Sequence, residues 1–143
     1  MTQTATFHDL AGKSVFVTGG GAGIGAHLTD GLMAQGAKVA FVQRSDATEF
    51  ADQMEKKHGE WPIFMQCDVT DIERLKTCIT DAGKAHGPVT VLVNNAANDQ
   101  RHATEEVDEE FWDWSQAVNL KAYFFACQAV IEGMRAAGGG SII

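Results

Sequence analysis

Residues 15–25 read Val15-Phe-Val-Thr-Gly-Gly-Gly-Ala-Gly-Ile-Gly25, a strand-like run that passes straight into a glycine cluster and then into a helical pattern. Glycines at 19, 21, 23 and 25 permit a tight turn and let the backbone approach a pyrophosphate closely. The helix beyond supplies unpaired amides and the positive end of its dipole. The spacing Thr18-Gly19-x-x-x-Gly23-Ile24-Gly25 therefore predicts a dinucleotide-binding turn, in its confirming context after a strand and before a helix. A Walker-type loop is rejected, because Gly12-Lys13-Ser14 precedes the strand and Phe7 stands where its leading glycine belongs.

Four further groups of residues could do chemistry beside that turn. The second strand ends Gln43-Arg44-Ser45, about twenty residues beyond the glycines, where an NAD-selective fold carries an acid for the ribose 2′-hydroxyl. Arg44 instead suits a 2′-phosphate, which an acid would repel, so the expected cofactor is NADP, with NAD possible; a solvated surface arginine is the alternative. Asp68, with Val69, falls at a strand's carboxyl end, placed either to accept from an adenine amine or merely to precede a helix cap. Asn94, Asn95 and Ala96 follow the fourth strand, at the sheet edge where open α/β folds bind ligands, although asparagines also form plain turns. The polar run Asn98-Asp99-Gln100-Arg101-His102 comes next, and Asn98, Gln100, Arg101 and His102 are candidate substrate contacts. Its structural alternative is pairing of Arg101 and His102 with Glu105 and Glu106.

The elements that must position these residues alternate short apolar strands with amphipathic helices, the pattern of a parallel sheet with crossover helices. Strands are expected at 14–18, 38–42, 63–67 and 89–93. Helices are expected from Ile24 to a cap at Gly36, over 46–58, from a Thr70-Asp-Ile-Glu73 capping box to about 86, and as one long run over 108–136. The glycines at 138–140 stop that run, and Ser141-Ile142-Ile143 reads as the opening of a fifth strand. The fold class is α/β, a doubly wound parallel (Rossmann) sheet in the order 3-2-1-4-5 with right-handed crossovers. Residues 1–143 are read as a single dinucleotide-binding domain, incomplete and cut at the start of its fifth strand.

The glycine spacing resembles the fingerprint of the short-chain dehydrogenase/reductase family, and three later segments match that family in order. Asp68-Val69 resembles its adenine-contacting pair. Asn94-Asn95-Ala96-Ala97 resembles its Asn-Asn-Ala-Gly motif with Ala97 in place of glycine, and Asn119 in Val118-Asn119-Leu120 resembles its catalytic-site asparagine. The resemblance runs from about Leu10 to Ile143. It implies hydride transfer between a nicotinamide and an alcohol or carbonyl substrate, with the Asn119 carbonyl holding a water that links to an active-site lysine. It also implies a homo-oligomer when complete. Residues 98–102, following the Asn-Asn-Ala motif, look like the same loop in family members that oxidise aldose sugars, while oxoacyl thioesters and other ketones stay open as substrates. The family's serine and Tyr-x-x-x-Lys are not in this chain: its one tyrosine, Tyr123, is followed four residues on by Cys127 and reads as packing. These residues alone are thus expected to be inactive, and a cofactor-binding module without catalysis is the rival reading.

Composition limits the partners. With 19 acidic against 11 basic residues, net −8, the chain is a poor candidate for nucleic acid or an anionic membrane, so any phosphate must be held locally. Cys67, Cys78 and Cys127 form no CxxC and the histidines are scattered, so no metal is expected, and a reducing cytoplasm is. Residues 1–10 carry neither the basic nor the apolar part of a secretory signal.

Overall fold

A computed structural model describes residues 5–143; the first four residues of the N-terminal reading lie outside them. Five parallel strands, β1 (Ser14–Thr18), β2 (Lys38–Gln43), β3 (Ile63–Gln66), β4 (Val91–Val93) and β5 (Ser141–Ile142), form one sheet in the order β3-β2-β1-β4-β5. The expected order and class both hold. Helices α1 (Gly23–Ala34) and α2 (Thr48–His58) cover one face, while α3 (Ile72–His86) and α5 (Ala122–Ala136) cover the other.

Strand alternation divides the core between these faces. Phe16, Ala40, Val42 and Leu92 point toward α3 and α5, and Val15, Val17, Val39 and Phe41 point toward α1 and α2. Every residue of β1 is buried, as a strand covered on both sides must be, which explains its unbroken apolar run. On the α3 side, Leu75, Cys78, Ile79 and Ala82 meet Ala122, Ala126 and Val130, whose four-residue spacing gives α5 a small-residue face for close packing.

Two local expectations are corrected. The start of α3 is capped by Asp71, whose Oδ1 accepts from the Arg74 N–H at 3.0 Å, not by Thr70. The Thr70 hydroxyl is already engaged, donating to Asp68 Oδ1 at 2.7 Å, and a carboxylate is the better partner for a helix N-terminus. The long run over 108–136 is not one regular helix either. It comprises α4 (Glu109–Gln116), a π turn at Ala117–Lys121 and α5. Helical periodicity cannot distinguish these segments, because one wide turn leaves the apolar pattern on either side almost in phase.

No helix among the described residues is long and apolar enough to cross a membrane. The two helices of the α1 face are tied by Asp30, whose carboxylate meets Lys57 Nζ at 2.7 Å and His58 Nε2 at 2.6 Å. Burial alone would raise the Asp30 carboxyl, but the hydrogen bonds and charges of Lys57 and His58 outweigh it and hold it below the ordinary 3.8. A depressed carboxyl contributes stability above its unfolded value and loses it as pH falls through the folded one. Asp30→Asn should therefore destabilise the fold by about 1 kcal/mol near neutrality, a modest amount because Lys57 is half exposed. In urea unfolding of both proteins, that difference should shrink below about pH 4; a difference constant down to pH 2.5 would contradict the ion-pair origin.

Candidate functional site

All five strands point their carboxyl ends to one edge, and a cleft of about 640 Å³ opens there. That volume lies within the roughly 300–1,000 Å³ usual for small-molecule and cofactor sites. Its floor is the turn between β1 and α1. Gly19 and Gly23 take positive φ, +69° and +52°. Gly25 leaves no alternative: a Cβ there would overlap the Gly19 carbonyl oxygen and lie 2.6 Å from Asn95 Nδ2. The helix N-terminus can approach a ligand only because the chain folds back on itself without side chains.

The turn is held from below. Asn95 Nδ2 donates to the carbonyls of Thr18 and Gly19, at 3.0 and 3.1 Å. The Thr18 hydroxyl accepts from the N–H groups of Asn95 and Ala96, each at 3.0 Å, and is 3.4 Å from the Val93 carbonyl. These bonds join the ends of β1 and β4 and fix the glycine turn between them. Thr18 is buried and faces this network, and Asn95 contributes to both network and cleft wall. Asn94 is turned away, with Nδ2 3.7 Å from Cys127 Sγ and its buried Oδ1 without a partner among the described residues.

The other expected residues fall at distinct parts of the cleft. Gly19, Gly23, Ile24 and Gly25 line the turn end, and Gln43, Arg44 and Ser45 line the end of β2. Gly21 is not in the wall but lies against that end, since a Cβ on it would be 2.7 Å from Gln43 Oε1. Gln43 Nε2 donates to Ser45 Oγ at 2.9 Å, and among the described residues the exposed Arg44 guanidinium is in no ion pair. Asp68, Val69 and Ala96 line the far side. Asp68 Oδ1 is taken by the Thr70 N–H and hydroxyl at 2.9 and 2.7 Å, so one oxygen of Asp68 shapes the turn before α3.

Asn119 lies in the π turn and clasps the loop after β4. Its Oδ1 accepts from the Asn98 N–H at 2.8 Å and its Nδ2 donates to the Asn98 carbonyl at 2.9 Å. Asn98 thereby reaches the cleft wall, and its own Oδ1 accepts from the Gln100 N–H at 2.9 Å. Gln100, Arg101 and His102 lie beyond the wall and are exposed. The expected pairing of this loop with acids is absent: no ion pair among the described residues joins Arg101 or His102 to Glu105 or Glu106, and the His102 ring lies on Phe111 with centroids 3.8 Å apart. An aromatic face available one turn into α4 replaces the carboxylates as the partner.

Sequence reading did not single out several of the cleft-lining residues. Asp99, Trp114 and Val118 line the cleft, and Cys67 forms part of its wall. Val118 and Trp114 are one helical turn apart just before Asn119, a signal visible only once α4 is known to border the site. Cys67 offers no nucleophile, because its hydrogen bond with Cys78 and its burial push the thiol well above the usual range. Burial likewise raises the Tyr123 phenol, which packs against the α3-side core and does not line the cleft.

Known proteins of similar sequence and structure agree with this geometry. A family model described as short chain dehydrogenase matches residues 13–143. A probable galactose dehydrogenase of Rhizobium meliloti is 44% identical over 142 residues, covering 98% of this chain and 56% of that protein. The D-xylose 1-dehydrogenase of Caulobacter vibrioides is 40% identical over 142 residues, with 99% and 56% covered. Among solved structures, a blue fluorescent protein from a metagenomic library, in complex with NADPH, superposes with a TM-score of 0.82 at 35% identity, over 87% of this chain and 52% of that one. The chain thus spans little more than half the length of the relatives it matches.

The Gly25 contact generates a paired test. Gly25→Ala should cost at least about 2 kcal/mol, because backbone must move to admit the methyl. Gly31→Ala, in the same helix with nothing within 4 Å, should stabilise by about 0.5–1 kcal/mol. Denaturant midpoints for the two variants should move in opposite directions; a shift of the same sign would contradict the close packing of the turn.

Proposed function

The chain belongs to the short-chain dehydrogenase family, and from that premise we propose that it forms the cofactor-binding part of an NADP-preferring dehydrogenase that oxidises an aldose. The observation carrying this reading is the cleft itself, with a pinned glycine turn at one end, an unpaired cation beside β2 and a polar loop at the β4 end. The residues fit a dinucleotide. Amides at the start of α1 suit a pyrophosphate, Arg44 and Ser45 suit a 2′-phosphate, and the second oxygen of Asp68, in no hydrogen bond among the described residues, suits an adenine amine. When bound, the nicotinamide would supply the hydride acceptor. The chain's own contribution is to hold that group at the sheet edge, with Asn95 and Ala96 in the cleft wall and Asn95 pinning the turn that forms its floor.

Asn119 enters this scheme twice. Its side chain fixes Asn98, and its backbone carbonyl, set apart from regular helix by the π turn, is the group assigned to hold an active-site water; π turns concentrate at functional positions. On this reading the acid/base tyrosine and its lysine are contributed from outside these residues, so the 143 residues alone bind cofactor without turning over substrate. Exposed Leu120 in the π turn and exposed Phe124 and Ile131 in α5 suit a second copy, in line with a homo-oligomer.

The NADP preference rests on Arg44. One charge-assisted hydrogen bond contributes ~1.5–3 kcal/mol, so Arg44→Asp should weaken NADPH binding by roughly ten- to a hundredfold and spare NADH. Fluorescence titration of both cofactors checks this, and equal affinities in the unaltered protein would refute it.

The aldose reading is supported by the relatives named for galactose and D-xylose and by the polarity of residues 98–102. A polyol needs several donors and acceptors, and a site built from them rejects apolar analogues that would leave those groups unpaired. Asn98 and Asp99 line the cleft, and the exposed Gln100, Arg101 and His102 follow them directly in the chain, from where they would close over a bound sugar. The full-length protein should oxidise pentoses or hexoses in preference to reducing β-keto esters, and Arg101→Ala and His102→Ala should each raise KM for the sugar. Activity confined to ketones, or sugar oxidation indifferent to both substitutions, would remove this loop from the substrate site.

A further inference from the structure

The glycine turn has a second anchor that the dinucleotide reading does not require. Thr29, on the first turns of α1, is fully buried, and its hydroxyl donates to the Gly20 carbonyl at 2.9 Å. Two residues crowd this spot: a Cβ on Gly20 would lie 2.5 Å from Phe41 Cβ and 2.9 Å from both Phe41 Cγ and Thr29 Oγ1, so only glycine fits. The N–H of Gly20 is directed to the Val42 carbonyl at 3.3 Å, and that of Gly19 to the same oxygen at 2.7 Å. The Gly20 residue is therefore held at both its N–H and its C=O, by β2 on one side and α1 on the other.

The consequence falls on the next amide. No peptide bond among the described residues is cis, so the N–H of Gly21 points opposite to the Gly20 carbonyl. With that carbonyl drawn inward to Thr29, the Gly21 N–H is turned away from the core. No described residue accepts from it. Gly21 lies against the end of β2, its missing Cβ position 2.7 Å from both Gln43 Oε1 and Ala47 Cβ, so this free donor is beside the Gln43-Arg44-Ser45 corner of the cleft.

We propose that the Thr29 hydroxyl is a positioning group for cofactor selectivity: by fixing the Gly20 carbonyl inward, it aims the Gly21 N–H at the adenosine 2′-phosphate that Arg44 faces. This rests on the NADP reading above and adds to it a buried determinant that touches no ligand. An oriented backbone donor is strongest toward an anion and weaker toward a neutral hydroxyl, so freeing the peptide costs the phosphorylated cofactor more. A hydroxyl serving only to satisfy a buried carbonyl would, when removed, loosen the fold and weaken both cofactors alike.

The experiment compares Thr29→Val, Thr29→Ala and Thr29→Ser in the full-length protein. Thermal melts come first, then fluorescence titration with NADPH and with NADH. Loss of the hydroxyl in the Val and Ala variants should weaken NADPH roughly tenfold and NADH less than about threefold, with Thr29→Ser close to the unaltered protein. If Thr29→Val does not fold, the Ala and Ser variants carry the same comparison. Unchanged NADPH affinity in the Ala variant, equal weakening of both cofactors, or failure of serine to restore selectivity would each overturn the proposal while leaving the dinucleotide reading intact. An unaltered protein that binds neither NADPH nor NADH would overturn both.

Discussion

The packing of Gly25 on the carbonyl of Gly19 is the contact on which the rest of this structure depends. It brings the first turn of α1 against the last residues of β1, closer than any side chain would allow. That closeness exposes the amide end of α1 to the cleft and determines where the helix axis crosses the sheet. It also leaves the turn carbonyls pointing into the protein, where each would be costly if unpaired. Asn95 answers for the carbonyls of Thr18 and Gly19, and Thr29 for that of Gly20. A glycine-rich segment, which loses more conformational freedom on folding than any other, is thus held rigid by three side chains drawn from β1, α1 and the loop after β4.

The sheet converts that local constraint into a site. Because all strands run the same way, the ends of β1, β2, β3 and β4 arrive at one edge, and each contributes its following residues to the same cleft. β1 is buried along its whole length, and most of the cleft wall comes from residues that follow the strands. Function falls to the loops. The acidic character of the whole chain means that the anion binding proposed for this edge rests on local groups, and among the described residues Arg44 beside β2 is in no ion pair.

The sequence made the fold and the turn legible because both depend on patterns of short period. Apolar runs bounded by glycine announced β1, β2 and β4, and the glycine spacing was meaningful from its position after a strand. What stayed hidden depended on contacts distant along the chain. Thr29 looks like one more helical residue until the Gly20 carbonyl is placed beside it. The partner of His102 was sought among nearby acids because charge is visible in sequence, whereas the face of Phe111 becomes available only when α4 begins where it does. Thr70 satisfied the pattern of a helix cap, but Asp68 claimed its hydroxyl first. The π turn around Asn119 breaks no rule of composition, so nothing in the residues 108–136 marked it.

The two ends of the cleft are built to different tolerances, and the difference bears on how such a site can change its substrate. At the glycine end, buried hydrogen bonds from Thr18, Thr29 and Asn95 tie the turn to β1, α1 and the loop after β4. At the other end, residues 99–106 are exposed; the paired hydrogen bonds between Asn119 and the backbone of Asn98 clasp their start, and His102 rests on Phe111. Because that clasp holds backbone and not the Asn98 side chain, the identities of the residues around it can vary without loosening it. On the proposed reading, a rigid turn beside a loop held largely through the Asn98 main chain separates the demands of cofactor and substrate: the first falls to interlocked atoms, the second to side chains that substitution can exchange while leaving the Gly25 contact untouched.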